Sequence, residues 1–181
     1  MSDYQICRWI ELGPPERDGL IADLDQIFFS SSARQSFESE QDKAQFRERW
    51  LGRYLKYFPD CTIVALDQAR RAIGYVTGSL DDPAQDPLFA DLAFFADFAA
   101  LTARYPAQLH VNIDADWRGR GIGAGLVSAF VELAGESGAP GVHAITTRGM
   151  RNIGFYLANG FQERGAATIN DRELVFLGRD T

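Results

Sequence analysis

A glycine-rich segment in the middle of the chain has the composition of an anion-binding turn, and a run of helical character follows it. The N-terminus of a helix presents backbone N–H groups without intrahelical partners, together with the positive end of the helix dipole. Glycines let a phosphate approach that backbone, and arginines add charge-assisted contacts. The segment therefore predicts a pyrophosphate site. Its residues are Arg118, Gly119, Arg120, Gly121, Ile122 and Gly123, followed by Ala124.

Two other phosphate-binding motifs use glycines in a similar way. A dinucleotide-binding turn needs G-x-G-x-x-G spacing and an acidic residue at the end of the next strand. Gly119, Gly121 and Gly123 have a different spacing, and the next predicted strand contains no carboxylate. A nucleotide-hydrolysing P-loop needs Gly-Lys followed by Ser or Thr, whereas this turn contains no lysine. A plain structural turn between a strand and a helix is the other alternative.

The strand predicted directly before the turn has two chemically different faces. Because strand side chains alternate, His110, Asn112 and Asp114 share its polar face. A reaction that removes a proton from its substrate needs a base or a water chain to accept that proton. His110 is the candidate base, since it is the group on this face that titrates near neutrality. The alternatives are His143 on the next predicted strand, and Asp114 or Asp116 acting through water.

Residues 113–126, with the sequence IDADWRGRGIGAGL, resemble the coenzyme signature of the Gcn5-related N-acetyltransferases. That signature is Arg or Gln, two residues, Gly, one residue, then Gly or Ala, and Arg118, Gly121 and Gly123 fill those places. The resemblance implies that acetyl-coenzyme A (acetyl-CoA) is the co-substrate, with its pyrophosphate on the amides of the turn. It also implies that the strand from Asn112 through Ile113 to Asp114 lines the pantetheine arm.

A second segment, Phe155–Phe161, is similar to the family's later motif, in which a helix bears a tyrosine and ends in Gly-Phe. Tyr156 matches the residue that protonates the departing thiolate, and a phenol suits this step because its pKa lies near that of a thiol. Family members often carry an asparagine seven residues before this tyrosine, where this chain has Gly149. Asn152 is the nearest asparagine and the candidate for a shifted coenzyme contact. The alternative for Tyr156 is a packing role.

The two matches run from about Leu109 to Phe161, and they imply a fold for the whole chain. We expect an α/β (α+β) single-domain fold with a mixed, mostly antiparallel sheet of about six or seven strands. About four helices flank the sheet, and its strands splay at the coenzyme site. Residues 81–114 also look faintly like the acetyltransferase-like domain of animal enzymes that hydrolyse O-linked N-acetylglucosamine.

Apolar periodicity and turn residues place the elements that position these groups. The segment from Asp81 to Pro106 is predicted to be irregular, with its phenylalanines either walling an acceptor site or filling the core. The first predicted helix begins at Pro14. The other three run from about Ser39 to Tyr57, from Ile122 to about Ala134, and from Met150 to Ala158. The predicted strands are Tyr4–Ile10, Thr62–Leu66, Ala72–Leu80, Gln108–Asp114, Val142–Thr147, Phe161–Arg164 and Glu173–Leu177.

Bulk composition limits the kinds of partner. The chain has 181 residues, of which 46% are hydrophobic and 24% charged, and this predicts one domain over residues 1–181. A net charge of −7 argues against nucleic acid, because phosphate binding needs a basic surface. No run approaches the roughly 20 apolar residues of a membrane span, so we expect a cytoplasmic protein, monomeric or homodimeric.

The two cysteines, Cys7 and Cys61, stand singly, which favours reduced thiols and no metal site. The leading interpretation is an N-acetyltransferase that moves acetyl from acetyl-CoA to an amine, either a small molecule or a protein lysine. The amine attacks directly within a ternary complex. The alternative is a catalytically silent module of the same fold that binds the coenzyme or a protein partner.

Overall fold

A computed structural model describes residues 3–181 as a mixed α/β structure with one seven-stranded sheet. The strands are β1 (Tyr4–Arg8), β2 (Ile63–Asp67), β3 (Ala72–Ser79), β4 (Ala107–Ile113), β5 (Gly141–Thr147), β6 (Gln162–Ile169) and β7 (Arg172–Asp180). The helices are α1 (Pro14–Ser31), α2 (Glu40–Arg47), α3 (Arg53–Tyr57), α4 (Phe94–Asp97), α5 (Ala99–Thr102), α6 (Ile122–Glu136) and α7 (Asn152–Ala158).

The strands are hydrogen-bonded in the order β1-β2-β3-β4-β5-β7-β6, which confirms the predicted mixed sheet. Four of the pairings are antiparallel, namely β1 with β2, β2 with β3, β5 with β7, and β6 with β7. Over residues 3–181, the parallel pairing of β4 with β5 is confined to the beginning of both strands. It joins Ala107 with Val142 and Gln108 with His143.

The chain divides into two compact units, each built from two segments. The first contains the chain up to Gly78 together with His110–Phe130, and the second contains Ser79–Leu109 together with Val131–Thr181. The assignment of residues 1–181 to one domain stays a prediction.

The first unit is organised around α1 and the β2–β3 hairpin. Pro14 and Pro15 begin α1, where the missing N–H of proline costs nothing. The buried side of α1 packs in a core with residues of β2 and β3, and the members of that core include Leu20, Leu24, Ile27, Phe28, Val64, Leu66 and Tyr75. Ile21 of the same helix is only partly buried against this core.

A salt bridge holds the α1 helix to the hairpin. Asp23 is buried, and its carboxylate accepts hydrogen bonds from the Arg71 guanidinium and from the Ala72 backbone N–H at 3.0 Å. These hydrogen bonds, those from Arg71 first, hold the pKa of Asp23 below its usual value. A buried carboxylate thereby supports the point where β3 begins.

The helix predicted from Ser39 to Tyr57 is one continuous helical path with a wider turn in its middle. Ser39 caps its start by accepting a hydrogen bond from the Asp42 N–H, and α2 and α3 are joined by a π-helical segment at Glu48–Gly52. A Cβ atom at Gly52 would lie 2.3 Å from a carboxylate oxygen of the exposed Glu48 side chain, which would have to move aside for it. The sequence spacing predicted the helix but not this π-helical turn.

The second unit has its core around β5 and β7. Phe98, Tyr105 and Phe176 are its buried centre, and a Cβ atom at Gly141 would lie 2.4 Å from the Tyr105 ring. The β6–β7 hairpin turns at Asn170 and Asp171, both with positive φ, which these residue types tolerate best after glycine. Both strands of this hairpin are longer than the predicted Phe161–Arg164 and Glu173–Leu177.

The segment from Asp81 to Pro106 is more regular than predicted. It contains α4 and α5, which raises the number of helices above the expected four. A repeat of three residues explains this, because the N–H of each member bonds the carbonyl of the preceding one. The members of this repeat are Phe89, Leu92, Phe95, Phe98 and Leu101. Phe89, Phe95 and Phe98 are buried, as in the alternative in which the phenylalanines fill the core.

Replacing Asp23 with asparagine tests the salt bridge. Asp23→Asn should lower the free energy of unfolding at pH 7 by about 1–3 kcal/mol, because the charged hydrogen bonds are lost. Because folding lowers the pKa of Asp23, its ionised carboxylate contributes its full stability above the ordinary pKa near 4. That stability is lost as the pH falls through the pKa that Asp23 has in the folded protein. The gap between variant and wild type in urea unfolding should therefore close at acidic pH.

The matched control is Asp18→Asn, which changes an exposed carboxylate on the same helix. Equal unfolding midpoints for the two variants at pH 7 would contradict a stabilising role for Asp23.

Candidate active site

The turn before α6 leaves backbone N–H groups without hydrogen-bond partners at the start of a helix. The first intrahelical hydrogen bond runs from the Gly125 N–H to the Gly121 carbonyl at 3.0 Å. The amides of Ile122, Gly123 and Ala124 therefore have no helical carbonyl one turn earlier to which they could donate a hydrogen bond. Gly121 stands at the N-cap position and has no side chain with which to cap them. The helix consequently begins with donors that a ligand can use.

The conformation of the turn, rather than close packing, requires glycine at positions 119 and 121. Gly119 and Gly121 have φ of 76° and 81°, a region that disfavours other residues. A Cβ atom at either position would meet no atom within 4 Å, so the backbone is open on that side. Gly125, one turn into α6, differs because a Cβ atom there would lie 2.8 Å from Ile6. The turn thus fits a bulky anion such as a pyrophosphate.

Both arginines of the turn are exposed and hold it in place. Arg118 donates from Nε to the Ile113 carbonyl and from a terminal nitrogen to the Ser31 hydroxyl, each at 3.2 Å. Arg120 donates to the Asp116 carbonyl at 3.3 Å and lies 4.6 Å over the Trp117 ring. Neither guanidinium forms an ion pair with any residue from 3 to 181. Their two positive charges therefore lie beside the helix N-terminus without an ion-pair partner among the described residues.

The polar groups at the end of β4 already have partners. Asn112 donates from its side-chain amide to the Tyr75 hydroxyl at 3.0 Å. Asp114 caps the short turn that follows, with its carboxylate accepting the Asp116 N–H at 2.9 Å, and its own N–H bonds the Ile73 carbonyl. Their side chains shape the strand end. A contact with a pantetheine arm would fall to backbone groups, and that contact stays a prediction.

His110 lies against two aromatic side chains of the helix that carries the π-helical segment. Its Nε2 atom is 3.0 Å from the Tyr54 hydroxyl, and its ring centroid lies 5.3 Å from that of Tyr54 and 5.5 Å from that of Trp50. Burial lowers the pKa of His110 from 6.5 to about 4. The imidazole is therefore neutral at pH 7, but it is a weak base.

His143, the second candidate base, is a structural residue of the second unit. It is 1% exposed and stacks on Phe176 with ring centroids 4.7 Å apart. Its Nδ1–H donates to the Tyr105 carbonyl. A ring enclosed in this way is suited to packing rather than to proton transfer.

Tyr156 and Asn152 also lie in the second unit, on α7, which begins two residues later than predicted. The Tyr156 ring is 5% exposed and makes edge contacts with Phe155 and Phe161 at 5.4 and 5.3 Å. Asn152 is exposed, and its carbonyl accepts the Thr146 hydroxyl hydrogen at 2.9 Å. The packing described as the alternative for Tyr156 is present, and its role as an acid stays a prediction.

Sequence reasoning missed three residues of the first unit that contact the predicted ones. Tyr54, Trp50 and Tyr75 bind or pack against the polar face of β4. Trp50 and Tyr54 are four positions apart in the predicted helix, a spacing that puts both on one face. Their contact with β4 crosses more than fifty positions of sequence, and no local pattern encodes it.

Residues 23–161 match the sequence model of the acetyltransferase (GNAT) family. The chain belongs to this family. The match includes the turn, β4 and Tyr156. The comparison with curated proteins gave no match.

Solved structures share the GNAT fold. SsHAT is 23% identical with a TM-score of 0.75, and the similarity covers 99% of this chain and 98% of that one. A Gcn5-related N-acetyltransferase from Kribbella flavida is 16% identical with a TM-score of 0.63, covering 99% and 98%. A putative streptothricin acetyltransferase from Bacillus anthracis, solved with acetyl-CoA, is 17% identical with a TM-score of 0.51, covering 66% and 61%.

Membrane-spanning and metal-binding features are both missing from residues 3–181. None of the helices there combines the length and apolar character needed to cross a membrane. The same residues contain no group of three or more His, Cys, Asp or Glu side chains arranged to bind a metal ion.

A glutamate at Gly121 tests the anion site. Gly121→Glu should abolish acetyl-CoA binding, because it places a carboxylate at the amides that would bind the pyrophosphate. Gly138→Glu is the matched control, since Gly138 is also exposed, has φ of 84°, and a Cβ atom there would meet no atom within 4 Å. Both substitutions carry similar backbone strain, so calorimetric titration isolates the effect of position. Micromolar binding by the Gly121 variant would show that the turn is only structural.

Proposed function

We propose that this GNAT-family chain transfers the acetyl group of acetyl-CoA to an amine acceptor by direct attack within a ternary complex. One observation carries the proposal, namely the unpaired amides at Ile122–Ala124 beside two arginines without ion-pair partners among residues 3–181. Such a site favours an anion with the size and charge of a pyrophosphate. The family match and the fold it shares with acetyltransferases support the identity of the co-substrate.

The chain's residues divide the binding work. The turn amides would hold the pyrophosphate, and Arg118 and Arg120 would contribute charge from the exposed side. The backbone of Asn112–Asp114 would line the pantetheine arm, as the family resemblance implies. Holding both substrates together replaces a collision between three species with a reaction inside one complex, which is a large part of the rate enhancement available to such an enzyme.

The chemical step requires two proton movements. The acceptor nitrogen must lose its proton before or during its attack on the thioester carbonyl carbon, because only its lone pair is nucleophilic. As the C–N bond forms, the C–S bond breaks and the coenzyme sulfur takes a proton. We assign this second proton to the hydroxyl of Tyr156, whose phenol has a pKa close enough to that of a thiol to donate. Water can carry the first proton away.

Thiol release measures the proposed reaction directly. Acetyl-CoA should yield free coenzyme A faster when an amine is present, with the rate depending on both concentrations. A panel of polyamines, amino acids, aminoglycosides and lysine peptides covers the acceptor classes. Binding of acetyl-CoA without thiol release on any of them would favour the silent module, and absence of binding would overturn the proposal altogether.

Tyrosine-to-phenylalanine substitution tests the proposed acid. Tyr156→Phe should lower kcat by about 100-fold or more while leaving acetyl-CoA affinity nearly unchanged, because the proton is needed only as the thiolate leaves. The ring contacts with Phe155 and Phe161 remain in the variant, so its melting temperature should stay close to that of the wild type.

The control is Tyr57→Phe, which removes an exposed hydroxyl from α3. If Tyr156→Phe keeps the wild-type kcat under conditions where chemistry limits the rate, Tyr156 has only the packing role.

A further inference from the structure

The contact between Tyr54 and His110 restricts what the histidine can do. A neutral imidazole has one nitrogen that donates a hydrogen bond and one that accepts. The Tyr54 hydroxyl lies 3.0 Å from Nε2. No residue within 3–181 forms a hydrogen bond with Nδ1. The two nitrogens therefore have different environments, one occupied by a phenol and one available.

The nature of the two groups indicates the direction of this hydrogen bond. A phenol O–H is more acidic than the N–H of a neutral imidazole, and the imidazole lone pair is the better acceptor of the two. Tyr54 O–H therefore donates to Nε2, and the imidazole hydrogen resides on Nδ1. In this tautomer the available nitrogen is a donor and has no lone pair to accept a proton.

We infer that His110 binds a substrate oxygen through its Nδ1–H and that Tyr54 is the residue that holds it in this tautomer. The inference rests on the proposed acetyl transfer and departs from the expectation that His110 is the general base. The oxygen belongs either to the acetyl thioester or to the acceptor molecule. Both sources offer the same chemistry, an oxygen lone pair, and the variants described below distinguish them.

The electrostatic surroundings agree with a neutral donor. Burial between aromatic rings lowers the pKa of His110 to about 4, and no ionised side chain contributes to this shift. A base is most effective when its pKa lies near the working pH, and the pKa of this imidazole lies well below it. A neutral N–H donor, in contrast, keeps the same protonation state from about pH 5 to about pH 9.

The helix that carries Tyr54 explains how the contact is fixed. Trp50 lies within the π-helical segment and Tyr54 follows one turn later, so both rings face the imidazole. Tyr54 has no exposed surface, which confines its hydroxyl to one position. π-Helical segments within α-helices are frequent at functional sites, because they redirect the side chains of the helix.

Nuclear magnetic resonance tests the tautomer without any need for activity. Long-range ¹H–¹⁵N spectra distinguish a protonated Nδ1 from a protonated Nε2, and the chain has only two histidines to assign. The expected result for His110 is hydrogen on Nδ1 and no titration above pH 5. Hydrogen on Nε2 in the wild type, or titration near pH 6.5, would overturn the inference whether or not acetyl transfer is confirmed.

Replacing His110 with asparagine or with glutamine tests whether the Nδ1–H group acts as a hydrogen-bond donor. Asparagine places its amide nitrogen close to the Nδ1 position, whereas glutamine places it close to Nε2. His110→Ala should lower kcat/KM at least tenfold, which corresponds to about 1.4 kcal/mol for one lost hydrogen bond. His110→Asn should recover most of that loss and His110→Gln should not. An asparagine variant as impaired as the alanine variant, with its fold intact by circular dichroism, would overturn the donor role.

Tyr54→Phe tests the positioning role through a double-mutant cycle. Without the hydroxyl, the hydrogen can move to either nitrogen, so kcat/KM should fall a few-fold in the wild-type background. In the His110→Ala background the same change should have no further effect. Equal effects in both backgrounds would mean that Tyr54 only stabilises the fold.

The kinetic pattern of His110→Ala identifies the source of the oxygen. If the oxygen is that of the thioester, kcat falls for every acceptor and the acceptor KM stays constant. If it belongs to the acceptor, KM rises only for acceptors that carry such an oxygen. A variant with wild-type kcat and KM for all acceptors would overturn the inference while leaving the proposed acetyl transfer intact.

Discussion

The start of α6 without a side-chain cap is the constraint on which the binding site depends. A helix normally satisfies its first N–H groups with a Ser, Thr, Asp or Asn side chain, and this one begins after Gly121 instead. The positive φ of Gly119 and Gly121 directs the chain from β4 into the helix, and the first amides of the helix have no partner. Such an arrangement costs stability in the absence of a ligand, and a bound pyrophosphate would restore it.

The neighbouring elements hold this turn in its conformation. Arg118 connects the turn to the last carbonyl of β4 and to the end of α1, while Asp114 caps the short turn between them. The same strand carries His110 towards Trp50 of the π-helical segment and Tyr54 of α3. One strand thus leads from the aromatic enclosure of His110 to the anion-binding turn, and the salt bridge of Asp23 supports the hairpin beside it.

The sequence predicted those parts of the protein whose signals are local. Glycine spacing located the turn, alternation located β4, and apolar periodicity located the long helices, because backbone conformation follows from neighbouring residues. The short helices α4 and α5 were missed because their three-residue repeat is shorter than the pattern sought. The chemistry of His110 was also out of reach, since its pKa depends on burial in the fold and its tautomer on Tyr54, a residue distant in sequence.

The central claim is that the amides at the start of α6 bind the pyrophosphate of acetyl-CoA. Titrating ¹⁵N-labelled protein with acetyl-CoA, and separately with S-acetyl pantetheine, observes those amides directly. We predict large shifts for the N–H signals of Gly121, Ile122, Gly123 and Ala124 with acetyl-CoA, and small ones with the ligand that lacks the pyrophosphate. Saturable binding of acetyl-CoA that leaves these four signals unmoved would contradict the claim.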